Sequence, residues 1–250
     1  MKNDIVYILR EDIDPKELRF SLRSVAKYFP CRKVWFVCGH PEGFKPDAYL
    51  EHEQKGGTKW ERVRSSLLEV CRCEDITENF YLFNDDFFVL AQPPKEFINY
   101  SNGTIGKRIA DISKRCGRMS KYTEELETLK KYLIRRESDT VSFAVHMPIL
   151  INRADMLKVL TMKNSSPMFR SLYGNLCEVP YIYHKDVKIY DMVSVPGEGW
   201  DYVSTTEVSF EFGKVGEWIR EKFPNPCKYE TQTAKEYNKE LYTEDGDDVY

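Results

Sequence analysis

The sequence lacks the short signatures of several common enzyme classes. It has no Gly-x-Gly-x-x-Gly, no Walker-type phosphate loop, no His-Glu-x-x-His and no Gly-x-Ser-x-Gly, which disfavours dinucleotide-binding, P-loop, zinc-peptidase and serine-hydrolase chemistry. No apolar run approaches the ~20 residues that cross a bilayer. The opening "MKNDIVYILRED" carries one lysine but neither a long apolar segment nor a cleavage site, so it does not read as a signal peptide. The expectation is a protein without membrane insertion. Cys-x-x-Cys is absent too. The seven cysteines are scattered, and Cys71 and Cys73 stand too close for an ordinary metal pair. Reduced thiols in a cytoplasm are the expected state. Strong net charge is also missing. The total is −3, with −4 of it in residues 231–250 and the remainder near neutral. No overall field draws the chain to nucleic acid or lipid.

What is present is a chain of 250 residues with 42% hydrophobic content, enough for one sizeable domain. "DIVYIL" (4–9) and "KVWFVC" (33–38) read as buried strands. Between them Asp14, Pro15 and the spacing of Leu18, Leu22 and Val25 predict a helix that Pro30 ends. Strand, helix and strand over some 35 residues form a βαβ unit with parallel strands. A Gly- and Pro-rich loop runs to Gly57. Thr58 and Glu61 make a capping box for the next helix, and "NFYLFN" is a third strand ending at Asp85-Asp86. The segment 97–118 has no clear period and is expected to be irregular. Thr123 is the expected cap of the helix "YTEELETLKKYLIRRE", and Asn152 that of "NRADMLKVL". Val208, Phe212, Val215 and Ile219 form one predicted helical stripe after Thr206. The whole predicts an α/β sandwich with a mostly parallel central sheet flanked by helices.

In such sheets, ligands gather beyond the C-terminal ends of the strands, where Asp85 and Asp86 fall. Two adjacent aspartates are ordinary turn residues. At a strand end they are also oxygen ligands suited to Mg²⁺ or Mn²⁺ that holds a substrate diphosphate. His146, in "FAVHMPI", is open to two readings: a hydrogen-bonded core residue, or a general base toward a hydroxyl. Arg170 in "MFRSLYG", and Lys59 and Arg62 at a helix N-terminus, are candidate phosphate ligands. Arg64, beside them, reads as part of a solvated helix face.

Four stretches, in order, resemble the Stealth family of sugar-1-phosphate transferases. They are "DIVYILRED", "KELRFSLRSVAKYFPCRKVWFV" with "FYLFNDDFFV", "HMPILINRADM" with "MFRSLYG", and "FPNPCKYE". The helix paired with the "NDD" strand end is the most specific of them. The first block is shortened, with Ile8-Leu9-Arg10 where the family has Thr-Trp-Val. A late Asn-Asp pair is represented by "STTEVSF", with Glu207 the nearest carboxylate. The resemblance implies a compact relative of the nucleotide-sugar-binding GT-A fold over residues 1–230, followed by a weak helix and acidic tail over 231–250. It implies a UDP-sugar donor, Mg²⁺ or Mn²⁺, and a hydroxyl acceptor on a glycan or polymer. Long nucleic acid is not favoured as acceptor, because no basic patch is evident. Arg10, Lys59 and Arg62 are expected as donor contacts by their charge. By the same resemblance Asp4 lies on the donor-binding strand. Asp85 and Asp86 hold the metal, and His146, Asp85 and Arg170 serve catalysis. The alternatives are a glycosyltransferase that releases UDP and a sugar- or nucleotide-binding module without turnover.

Overall fold

Strand β1 (Asp4–Leu9) is apolar on both sides, as a parallel strand covered on both faces must be. Helix α1 (Lys16–Tyr28) leads to β2 (Val34–Cys38), and the two strands pair in parallel. The computed structural model describes residues 2–163 and 166–231. A short strand, β3 (Ala48–Leu50), lies inside the loop before α2 (Lys59–Arg72) and pairs with β2, an edge that composition did not announce. The Thr58/Glu61 capping box is formed. Strand β4 (Asn79–Phe83) joins the other side of β1 in parallel.

Right after Asp85-Asp86 the chain leaves this sheet as β5 (Phe87–Val89). The expectation of irregular chain over 97–118 is overturned. The segment contains β6 (Asn99–Ser101) and α3 (Ile105–Cys116), an amphipathic helix that buries Ile105 and Ile112 and is capped by Thr104. Its many exposed basic residues mask that sparse apolar face. The next helix, α4 (Lys121–Ile134), is capped by Ser120 rather than Thr123. Thr123 occupies the third helical position and completes a reciprocal box with Ser120. After β7 (Ile149–Asn152) come α5 (Arg153–Thr161), capped by Asn152 as expected, and α6 (Phe169–Leu176). Three short strands follow: β8 (Tyr181–Tyr183), β9 (Lys188–Ile189) and β10 (Tyr202–Thr205).

The predicted single helix after Thr206 is two: α7 (Glu207–Phe212) and α8 (Lys214–Lys222). Gly216 lets α8 pack directly on α7, because a Cβ there would run into the Phe210 carbonyl oxygen. The break changes which residues face inward. Phe210, Val215 and Ile219 are buried, while Val208 and Phe212 are exposed. Residues 232–250, which hold the expected weak helix and acidic tail, lie outside the described residues.

The main sheet has the order β3-β2-β1-β4-β7, parallel except for β7, which is antiparallel to β4. One face carries Val6, Trp35, Val37, Phe80 and Leu82 against α2, α4, α5 and α6. The other carries Ile5, Tyr7, Leu9 and Phe36 against Leu18, Leu22 and Val25 of α1. Each such side chain contributes about 1.5–3 kcal/mol by leaving water. A second sheet, β5-β10-β9, and a two-stranded one, β6-β8, complete an α/β single-domain architecture with a mostly parallel central sheet flanked by helices.

Two buried ionic clusters lock this frame. Asp4, at the start of β1, accepts from Arg32 Nε and Nη2 at 2.8 and 2.6 Å, Trp35 Nε1 at 3.0 Å, and the Lys33 and Thr77 amides at 3.1 Å each. On α1, Arg19 and Arg23 clamp Glu230, whose side chain is fully buried, at 2.7 and 2.8 Å. The Pro-rich "FPNPCKYE" stretch is thereby tied to the "KELRFSLRS" helix.

Candidate functional site

The order β3-β2-β1-β4 reverses direction between β1 and β4, and a crevice opens at their C-terminal ends. Gly39, just after β2, keeps that edge tight: a Cβ there would collide with the Arg10 carbonyl oxygen. Into this crevice β4 delivers Asn84, Asp85 and Asp86. They stand at a strand end because the preceding Phe80, Leu82 and Phe83 are anchored in the core, and the following Phe87 and Phe88 are anchored in the second sheet.

Asp86 is only half satisfied. Its Oδ2 accepts from Lys188 Nζ at 2.7 Å and from Ser204 Oγ at 3.1 Å. Its Oδ1 is buried with no hydrogen-bond partner. Burial pushes the half-buried Asp85 carboxyl up to about 6, with the neighbouring Asp86 charge as the next contribution. A third carboxylate joins them. Glu17, in the first turn of α1, accepts a short hydrogen bond from Thr205 Oγ1. Burial, and then the charges of Asp86 and Asp85, push it up to about 8 against the opposing effect of that bond. Lys188 pairs with Asp86 alone, and its charge opposes the rise at Glu17 and Asp85.

Beside this cluster lies a cavity of about 510 Å³. Its polar wall presents Lys59, Arg108, Arg115 and Arg170 with His146 and Asn84, and no carboxylate is among its lining residues. Its apolar wall includes Trp60, Ile112 and Phe169. Arg170 enters from the start of α6. One of its terminal nitrogens donates to the Met147 carbonyl, and its Nε is buried without a partner. Burial, which penalises the charged form, brings this guanidinium down to about 10 against the opposing charges of Tyr122, Asp186 and Asp86. Arg108 Nε is likewise buried and unpartnered. His146 hydrogen-bonds Asp186 through Nδ1 at 2.8 Å, and burial lowers its proton affinity below the ordinary value.

The structure brings His146, Arg170 and Lys59 to one cavity, whose lining includes Asn84, the chain neighbour of Asp85. Arg10 is exposed at the end of β1, on the same side as Asp85. Arg62 is not among the cavity residues; its Nε donates to the Gly56 carbonyl. Arg64, expected on a solvated face, instead donates to the Leu160 carbonyl on α5. Asp4 requires a correction. It lies at the opposite end of β1 with its carboxylate filled by five donors, so no lone pair is left for a ligand. Glu207 is exposed in the first turn of α7 and does not reach the cluster; Ser204 and Thr205, just before it, are the groups that do.

Four polar contributors were not evident in the sequence. Glu17 resembled the usual acid of a helix start. Arg108 sat in a stretch without a visible period, and Asp186 and Lys188 in a loop with no recognisable signal.

Mg²⁺ or Mn²⁺ commonly uses one or two carboxylates and completes its shell with substrate phosphate and water. The orphaned Oδ1 of Asp86 and the adjacent Asp85 carboxylate fit that pattern. No group of three or more metal-binding side chains is gathered among the described residues, so the protein would supply two ligands.

Among the described residues no helix is long and apolar enough to cross a membrane. No protein-family model matches the chain, and no curated protein matches it. The resemblance to the Stealth family therefore rests on the quoted motifs. Among solved structures, the chain is similar to the glycosyltransferase GlyE of Streptococcus pneumoniae TIGR4, at 10% identity and a TM-score of 0.36. The match covers 90% of this chain and 50% of that one, so the chain spans about half the length of that structure.

Proposed function

We propose that the protein is a transferase that uses a nucleotide sugar, a UDP-sugar by its resemblance to the Stealth family, and delivers sugar-1-phosphate to a hydroxyl on a glycan or polymer. The observation that carries this reading is the cavity wall of four cations and no carboxylate, which Asn84 at the Asp85-Asp86 strand end also lines. A diphosphate is the group that needs both: guanidinium and ammonium donors for its oxygens, and carboxylates to hold a divalent cation on it. Mg²⁺ or Mn²⁺, held by Asp85 and Asp86 Oδ1, would supply charge neutralisation on the diphosphate. Lys188 keeps Asp86 in place from the other oxygen.

In this reading Arg170 and Lys59 bind phosphoryl oxygens and offset the charge that builds in the transition state, where positioning and electrostatics supply most of the rate. The acceptor oxygen attacks the β-phosphorus, the bond to the bridging oxygen breaks, and UMP leaves. His146, neutral and in the cavity wall, takes the acceptor proton.

A second reading has one observation in its favour. Glu17 supplies a further carboxyl whose proton affinity is raised by burial and by the charges of Asp86 and Asp85, the direction a general base needs. Attack at the sugar carbon with release of UDP would use it. Incubation with a panel of nucleotide sugars and Mn²⁺ or Mg²⁺, with identification of the nucleotide product, separates the two. UMP supports phosphoryl transfer and UDP the glycosyl version. Tight donor binding without any product for any acceptor would sink both and leave a binding module.

A further inference from the structure

The His146 ring is gripped from one side. Its Nδ1 lies 2.8 Å from Asp186 Oδ1 and 3.0 Å from Oδ2, and its own amide donates to Oδ1 at 3.2 Å. Arg108 Nη1 donates to Asp186 Oδ2 at 3.0 Å. Three segments distant in sequence converge here: α3, the extended run before β7, and the loop between β8 and β9. Asp186 is itself mostly buried, at 18% side-chain exposure, and Arg108 at 11%. We propose that Asp186, anchored by Arg108, is the positioning residue of His146: it holds the ring hydrogen on Nδ1 and leaves Nε2 as the bare nitrogen that accepts a proton from a group in the cavity.

The reasoning starts from valence. An ionised carboxylate only accepts hydrogen bonds. Nδ1 at 2.8 Å from it must therefore carry the hydrogen, and a neutral imidazole then has its lone pair on Nε2. Asp186 does stay ionised. Burial alone would raise its carboxyl, but the hydrogen bonds from His146 and the charges of His146 and Arg108 outweigh burial and hold it below the usual carboxylate range. Among the described residues no group is hydrogen-bonded to Nε2 of His146, and the ring meets Tyr190 edge-on at 6.4 Å. The second oxygen of Asp186 matters as much as the first. Arg108 pins it, so the carboxylate cannot rotate away from the ring, and orientation by a second partner of this kind is what keeps a histidine in one tautomer. Asp186 and Asp86 favour protonation of the ring and Lys188 opposes it; Arg108, Arg115, Arg170 and Lys59, cations in the same cavity wall, act in the opposing sense. The kinetic arm of the test below rests on the transferase reading; the spectroscopic arm does not.

Long-range ¹H–¹⁵N spectra of the full chain labelled at histidine report the tautomer directly. There are four histidines, and His146→Gln assigns the signals. The expected result is a protonated Nδ1 and bare Nε2 in the wild type. In Asp186→Asn the ring moves to the other tautomer or a mixture, because Arg108 and His146 then compete for one acceptor oxygen, and its titration midpoint falls to lower pH, because a negative charge that favoured protonation is gone. Asp186→Glu retains the wild-type signature. A protonated Nε2 in the wild type, or an unchanged tautomer in a folded Asp186→Asn, overturns the proposal. If Asp186→Asn does not fold, the wild-type spectrum decides alone. With a working donor and acceptor, Asp186→Asn is expected to lower kcat roughly 10- to 100-fold with KM little changed, and Asp186→Glu to recover part of it. A loss confined to KM would also overturn the positioning role. Absence of any turnover together with the expected tautomer sinks the transferase reading and supports this one.

Discussion

Asp4 and Asp86 sit at opposite ends of the same parallel sheet, and they are opposite in how they are satisfied. Asp4 has five donors on two oxygens, drawn from a guanidinium, an indole and two amides. Asp86 has two donors on one oxygen and none on the other. Both positions are buried enough that an unpaired charge is costly. At the N-terminal end the chain removes that cost completely. At the C-terminal end it leaves the Asp85-Asp86 pair with one lysine and an orphaned oxygen. A saturated carboxylate is part of the frame, and an unsaturated one beside a cationic cavity is poised for a visitor.

The contrast is broken most directly by substitution at each end. Asp4→Ala should cost about 3–5 kcal/mol, because it strands the buried Trp35 Nε1, two part-buried amides and the Arg32 guanidinium at once. Urea titration of the purified variant measures it, and the folded fraction should keep its donor affinity. Asp85→Asn should do the reverse. Stability should change by less than about 1 kcal/mol, since burial and Asp86 already disfavour the charge. Transfer should fall about 100-fold or more if the carboxylate holds a metal on the donor. Undiminished turnover of Asp85→Asn would remove the metal assignment.

A smaller effect lies in pH. Glu17 is raised from 4.5 to about 8 in the folded protein. A carboxyl raised on folding contributes stability that is present below its unfolded value and is lost as pH climbs through the folded one. Without divalent cation, the thermal midpoint should therefore decline between about pH 4.5 and 8. Glu17→Gln should flatten that decline, and added Mn²⁺ should counter it by favouring the ionised cluster. A midpoint that rises over this interval in the wild type but not in Glu17→Gln would contradict the assignment. Smallest of all, Arg62→Ala should leave donor affinity within about twofold, because its guanidinium turns back to the Gly56 carbonyl; isothermal titration with the donor checks it.

The same contrast explains what could be read from the sequence. The frame was legible where local rules agree: apolar runs for β1, β2 and β4, the capping box at Thr58 and Glu61, the Asn152 cap, and the acidic pair at a strand end. It was not legible where tertiary packing decides. The α3 helix buries only Ile105 and Ile112 among exposed bases, and Gly213 and Gly216 turn one apparent stripe into two helices with different buried faces. Asp4 was misassigned because an acid on a first strand looks the same whether it meets a ligand or Arg32. Arg108, Lys188 and Glu17 reach Asp186, Asp86 and Thr205 across 78, 102 and 188 residues of chain, and Asp186 reaches His146 across 40, distances no periodicity spans.

The clamp of Arg19 and Arg23 on Glu230 carries a consequence for the order of assembly. The bonds join positions 211 and 207 residues apart, and the arginines belong to the helix that carries Glu17. During synthesis that helix emerges early, yet its buried guanidiniums lack this carboxylate until position 230 has cleared the ribosome. Leu18, Leu22 and Val25 of the same helix pack on β1 and β2, so the clamp comes last to a helix whose apolar face already has its partners, and what it fastens is the C-terminal stretch.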